Sequence, residues 1–364
     1  MADDPNEALG AAEIEAANKG AGDVRTALDA AALARWLSSN IEGFRGELDI
    51  AQFNGGQSNP TYRLSTPGAR YVLRRKPPGE LLRGAHDVVR EARVQAALAG
   101  SGVPVARILG VCEDASVIGS DFYVMEMVEG RVIWDAGFAD VPLAGRAAYY
   151  DEMNRVIAAL HGIEPETVGL GDFGKPGNFF ARQFARFSKQ YLGDDLAGRN
   201  DDMDALVEWL PTAIPTDDET RIVHGDFRCD NLIFHPTEPR ILAVLDWELS
   251  TLGHPLADFA YHAMAYRMPP DIVAGLGGAD PVPLGLPGEA AYIERYCART
   301  GRSDIPNWDF YIAFQFFRLA VIFHGIRGRV LRGTASNAQA ARRAEVFPRL
   351  ASLARSAMEA CRGA

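Results

Sequence analysis

The hydrophobic period of the chain changes near Gly130, and that change restricts the folds open to it. Before it, "LDIAQF" (48–53), "TYRLS" (61–65), "RYVLRR" (70–75), "RILGVCE" (107–113) and "DFYVMEMV" (121–128) are short strand-like pieces, most of them set apart by Gly- or Pro-bearing turns. Between the third and fourth, "HDVVREARVQAALAG" (86–100) carries the helical period and stops at Gly100. Beyond Gly130 the pattern turns to long helices at 145–161, 178–193, 201–210, 255–266, 287–299, 309–332 and 336–361. Only 221–247 returns to strand-sized runs. Five strands with one internal helix, followed by a mostly helical region, make an α+β chain. The expected organisation is a loose tail over 1–25, rich in Ala, Gly, Asp and Glu without aromatic residues, an N-terminal lobe over 26–129 and a helical C-terminal lobe over 130–364.

Charge narrows the partners. The 37 Lys and Arg against 48 Asp and Glu leave −11, and an acidic surface repels both nucleic-acid phosphates and anionic lipid. Neither nucleic acid nor a membrane is expected as a partner. The four cysteines are scattered and lack zinc-type spacing, which suits reduced thiols. "MADDPNEALG" is acidic and has no apolar core of a signal peptide. The most apolar run, 310–323, contains Gln315 and Arg318 and reads as a buried helix too short to span a bilayer. A cytoplasmic location is the expectation, and the sequence is silent on oligomeric state.

Chemistry concentrates in "HGDFRCDN" (224–231), which lies between two strand-sized runs. An Asp and an Asn five positions apart suit two tasks at one centre, a carboxylate to accept a hydroxyl proton and an amide oxygen to bind a metal. A tight Asx turn is the competing reading of the same letters. Fifteen residues on, the apolar strand of "ILAVLDWELS" (241–250) ends in Asp246-Trp247-Glu248. At an extended strand end, residues i and i+2 face the same way, so both carboxylates could converge on a cation, with nucleotide phosphates completing its shell. "DFG" at 172–174 spells the triplet with which protein kinases hold magnesium, but it precedes Asp226 by 54 residues, on the wrong side of the loop. No G-x-x-x-x-G-K-[ST] occurs, which excludes a P-loop enzyme.

These segments, with "GGQSNPTYRL", "YVLRRKPPG" and "FYVMEMVEG", resemble in content and order the aminoglycoside phosphotransferase/choline kinase family, in the branch associated with acyl-CoA dehydrogenases. The resemblance implies a protein-kinase-like two-lobed fold that uses ATP and Mg2+, with the nucleotide in the cleft between lobes. It makes Asp226 the catalytic base, Asn231 and Asp246 the metal ligands and Glu248 an additional one. His224 would be structural, tying the catalytic loop to the strand bearing Asp246. Asp258 would brace that loop, a helix N-cap being the plainer alternative. Gly55, Gly56 and Ser58 of "NGGQSN" would lie over the phosphates, although a GG turn is common in hairpins. Arg74 takes the place of the usual phosphate-pairing Lys, with Glu91 as its helical partner, unless it is a surface strand-end residue. The backbone of Glu126 and Val128 would bond adenine. The implied activity is phosphoryl transfer to the hydroxyl of a small molecule, a hydroxyacyl-CoA or hydroxy acid. An aminoglycoside-type kinase and a pseudokinase nucleotide-binding module are the alternatives. Arg327, Arg329 and Arg332 could hold an anionic acceptor, or simply answer a helix dipole.

Overall fold

The computed structural model describes residues 28–53, 59–77, 86–273, 275–334 and 340–363, with the backbone of Ala21–Gly22. Gly55, Gly56 and Ser58 lie outside these described residues, as does almost all of the 1–25 tail. The chain divides into two compact units. One holds the chain up to Asp140 with Val168–Leu170 and Arg228–Ser250; the other holds Val141–Thr167, Gly171–Phe227 and everything from Thr251.

The first unit is built on an antiparallel sheet. Its strands are β1 (Ala21–Gly22), β2 (Asp49–Phe53), β3 (Thr61–Ser65), β4 (Arg70–Arg75), β5 (Ile108–Cys112) and β6 (Phe122–Glu126), in the order β1-β2-β3-β4-β6-β5. The five expected strands are thus present, with a two-residue strand added at one edge. Helix α1 (Ala30–Asn40) is capped by Asp29, whose side chain accepts from the Ala32 N–H (2.8 Å), and buries Leu33 and Leu37. Helix α2 (Val88–Leu98) is capped by Asp87 in the same way (3.0 Å). The strand period assigns the two faces. Tyr71 and Leu73 of β4 pack into the cluster containing Leu33, Leu37 and Phe122, while Val72 packs with Val88, Ala92, Tyr123 and Met125. Arg74, two residues beyond Val72, therefore emerges on the α2 face.

A second antiparallel sheet, β10-β9-β7, joins β7 (Arg131–Val132), β9 (Leu232–Phe234) and β10 (Ile241–Val244). It lets the chain return to this unit after a long excursion. Gly130, just before β7, sits hard against β9.

The second unit is mostly helical: α3 (Arg146–His161), α4 (Phe179–Leu192), α5 (Asp201–Ala213), α6 (Pro255–Ala263), α7 (Glu289–Thr300), α8 (Trp308–Leu331) and α9 (Ala340–Gly363). Its short strands β8 (Arg221–Val223) and β11 (Thr251–Gly253) pair antiparallel, which sets the start of the 224–231 loop beside the entrance to α6. "DFG" 172–174 is a packed turn. Phe173 is fully buried, and a Cβ on Gly174 would lie 2.6 Å from Thr251 Oγ1. The apolar run at 310–323 continues into the 24-residue α8. Among the described residues α8 is long and apolar enough to cross a membrane, and 72% of its most apolar stretch is buried inside the protein, as a core helix would be.

One substitution tests the close approach of Gly130 to β9. A Cβ there would meet the Phe234 carbonyl oxygen at 2.3 Å and Ile233 Cγ2 at 2.5 Å, and a backbone oxygen cannot step aside cheaply. Gly130→Ala is expected to cost about 1–3 kcal/mol, read as a lower Tm. An unchanged Tm would show that the approach is not tight.

Candidate active site

The α2 face of the first sheet carries a buried charge cluster. Arg74 Nε lies 2.8 Å from Glu91 Oε2 on α2, and Arg74 Nη2 lies 2.6 Å from Asp246 Oδ1 and 3.5 Å from Glu248 Oε2. Arg74 is thus no surface strand-end residue. Asn59 Nδ2 donates to Glu91 Oε1 (2.5 Å), the Tyr123 hydroxyl donates to Oε2 (3.4 Å), and Gln95 Nε2 donates to that hydroxyl (3.2 Å). Burial pushes the Glu91 carboxyl up to about 7, against the pull of Arg74. Burial also opposes the charge on Arg74, but Glu91 foremost, with Asp246 and Glu248, outweighs it and raises its pKa. Sequence reasoning misses Asn59. Its one signal is that it closes "NGGQSN", where an amide entering a core must find a partner.

Asp246 and Glu248 both reach the Arg74 guanidinium, by another route than an extended strand end. The strand ends at Val244; Asp246 is left-handed (φ 63°, ψ 62°), and Glu248 lies in a 3₁₀ turn over Trp247–Leu249. The i, i+2 argument from an extended strand therefore does not apply. The left-handed residue re-aims the chain, a conformation that Asp tolerates better than most. The Trp247 indole N–H donates to the Val244 carbonyl (2.9 Å) and holds the turn.

Arg74, Asn231 and Asp246 border a cavity of about 380 Å³ whose lining also includes Val72, Met125 and Leu245. Glu126, Met127 and Val128 follow β6 along its edge. The Glu126 N–H already donates to the Arg107 carbonyl (3.0 Å), so any bond from Glu126 to a base must use its carbonyl. Asn231 is held at the site by its own backbone, whose carbonyl accepts from the Leu245 N–H (2.8 Å), next to Asp246. Cys229, in the same loop, is buried, and burial pushes its thiol up to about 12, so it is no nucleophile.

Among the described residues no three His, Cys, Asp or Glu side chains form a ready-made metal centre. The donor set is partial: an amide oxygen from Asn231, a carboxylate from Asp246 and a second from Glu248. That suits magnesium, which takes one or two protein carboxylates and leaves the remaining positions to phosphate and water. Asp246 and Glu248 outnumber the one guanidinium they share, and a cation would offset the remainder.

The remaining predicted residues belong to the second unit, since the chain passes from one unit to the other between Phe227 and Arg228. The Tyr261 hydroxyl donates to Asp226 Oδ1 (2.5 Å), and the Asp226 N–H donates to His224 Nδ1 (3.2 Å). His224 is fully buried, and its Nδ1 takes that bond from within its own loop. Asp258 accepts from the N–H groups of His224 (2.7 Å) and Gly225 (2.8 Å), while His161 Nε2 lies 3.2 Å from its Oδ2. It is not the helix cap; that is His254, whose Nδ1 accepts from the Leu256 N–H (3.2 Å). Burial alone would raise the Asp258 carboxyl, yet His161 and His224 hold it below the ordinary range. Arg318 of α8 donates to the Gly225 carbonyl (3.1 Å), and its guanidinium lies 4.9 Å over the Tyr261 ring. Tyr261 and Arg318 escape sequence reasoning. Their only trace is a charged residue inside an apolar run and a Tyr three places after Asp258. Of the other arginine cluster, Arg332 is taken by Asp194 (2.8 and 2.7 Å).

Known proteins share the family and the fold. The sequence model of the phosphotransferase enzyme family matches residues 49–314. A crystal structure from Ralstonia eutropha JMP134, described as an aminoglycoside phosphotransferase, superposes with a TM-score of 0.85 at 50% identity over 92% of this chain and 99% of that one. Aminoglycoside phosphotransferase APH(4)-Ia, in a ternary complex with AMP-PNP and hygromycin B, shares the fold (TM-score 0.58, 16% identity, 90% of this chain and 98% of that one). Among curated relatives, mouse acyl-CoA dehydrogenase family member 10 is 43% identical over 311 residues, and the probable acyl-CoA dehydrogenase IBR3 of Arabidopsis thaliana is 40% identical over 331. Each match covers 85% of this chain but only 29% and 40% of those longer proteins.

Glu91 gives the site a pH signature. Its carboxyl holds a proton more tightly when folded (about 7) than at its ordinary value of 4.5. Its stabilising protonation is therefore complete below that ordinary value and is lost as pH rises through 7. Wild-type Tm is expected to fall between pH 5 and 8 by an amount corresponding to roughly 2–3 kcal/mol. Glu91→Gln should lose that slope even if its Tm is lower throughout; an equal slope in both proteins would assign the effect elsewhere.

Proposed function

The chain belongs to the phosphotransferase enzyme family, and we propose that it is an ATP-dependent kinase that transfers the γ-phosphoryl group to the hydroxyl of a small molecule. One observation carries this reading: Asn231, Asp246 and the paired Arg74 border the same cavity as Glu126–Val128. A nucleotide base would lie between Val72, Ala106 and Met125 on one side and Ile233 and Leu245 on the other, with backbone from Glu126 and Val128 at its edge. Arg74, fixed at Nε by Glu91, would turn the rest of its planar fork to the phosphates. Asn231 and Asp246, with Glu248, would hold magnesium, which when bound neutralises phosphate charge and stabilises the leaving oxygen.

The base in this reading is Asp226. The Tyr261 hydroxyl donates to Oδ1 and orients the carboxylate that would accept the proton of the acceptor hydroxyl. Asp258 and His224 fix the backbone on which that carboxylate rides. For the acceptor, likeness to acyl-CoA dehydrogenase family members favours a hydroxyacyl-CoA or hydroxy acid. The Ralstonia protein, by its description, supports an antibiotic acceptor as the second reading.

An acceptor screen read by mass gain of one phosphoryl group distinguishes the two. Asp226→Ala is expected to lower kcat by about 10²–10⁴ while nucleotide affinity survives. Asp246→Ala should abolish divalent-dependent nucleotide binding in calorimetry. Near wild-type turnover in either variant would overturn the mechanism, and binding without any transfer in the wild type would favour a pseudokinase.

A further inference from the structure

Several arginines of the second unit are answered by carboxylates, and among the described residues Arg318 is not. Arg267 is paired with Glu289 and Asp309, Arg302 with Glu219, and Arg332 with Asp194. Arg318 rises half-buried from the apolar face of α8, and among the described residues no carboxylate lies within ion-pair distance of it. Its contacts are the Gly225 carbonyl, Gln315 Oε1 at 3.5 Å and the face of Tyr261. A guanidinium has five N–H donors in a planar fork, and these neutral contacts leave most of them, and the whole charge, unanswered. A partly desolvated charge without a counter-ion is unfavourable, so such a group normally has one. Its surroundings are those of the reaction: Gly225 directly precedes Asp226, and the ring beneath the guanidinium is the one whose hydroxyl holds Asp226.

We propose that Arg318 binds the carboxylate of the acceptor, and that the natural acceptor is a free hydroxy acid whose hydroxyl is presented to Asp226. The inference rests on the kinase reading above and narrows it. A carboxylate matches the guanidinium fork in shape and charge, with two parallel N–H···O bonds. A thioester or amide at the same place offers one neutral oxygen, and a polycationic aminoglycoside would bring like charge toward Arg318. The cation that marks the acceptor side therefore selects against both rival classes.

The test uses the full chain with Mg-ATP and compares β-, γ- and δ-hydroxy acids with their primary amides, which keep the hydroxyl and remove the charge. Wild type is expected to prefer the acid by about 10- to 100-fold in kcat/KM, the scale of a charge-assisted hydrogen-bonded contact. In Arg318→Gln that preference should collapse, chiefly through KM for the acid, and Arg318→Lys should restore part of it. If Arg318 only clamps the Gly225 carbonyl, the variants lower acid and amide alike, the ratio stays fixed, and the proposal is wrong. Equal use of acid and amide by the wild type would overturn it without any variant. Failure to phosphorylate every acceptor, with Mg-ATP still bound, would remove the kinase reading and this proposal together.

Discussion

A buried guanidinium between two elements of the first unit sets the rest of its site. Arg74 joins β4 to α2 through Glu91 and reaches the turn after β10 through Asp246. Taking one cation and several carboxylates out of water is unfavourable in itself, and such clusters are weak evidence of stability. What this one secures is placement. The strand period puts Arg74 on the α2 face, Asn59 and Tyr123 orient Glu91, and Arg74 and Asp246 both line the cavity. Arg in place of Lys adds direction: the fork can hold Glu91 along one edge and another anion along the other, which an ammonium cannot do with the same geometry.

The second unit solves a different problem, how to hold a carboxylate steady on a loop. It does so through backbone groups. Asp258 collects two successive N–H groups, His224 takes a third, and Arg318 caps a carbonyl. The Asp226 side chain is then aimed in part by the Tyr261 hydroxyl. A loop fixed by its main chain can keep its shape while the side chains around it vary.

Much of this was legible in the letters. Strand and helix boundaries fell within a few residues because alternation and helical periodicity are local signals, and the order of the "HGDFRCDN" and "VLDWELS" segments identified "DFG" 172–174 as a distraction. What stayed hidden was non-local or carried by backbone. Tyr261 meets Asp226 across 35 residues and Arg318 meets Gly225 across 93, and no period announces such encounters. The left-handed turn at Asp246 replaced the extended strand end because one residue's φ overrules the pleat. The commitment of the Glu126 N–H to Arg107 has no side-chain signature at all.

Cys229 sits in the middle of the loop that carries this chemistry, shut away from solvent with its thiol strongly disfavoured as thiolate. Electrophiles that label ordinary surface cysteines should pass it by while the loop is closed. Alkylation at that one sulfur therefore becomes a clock: its rate measures how often the segment opens, independently of any nucleotide or acceptor.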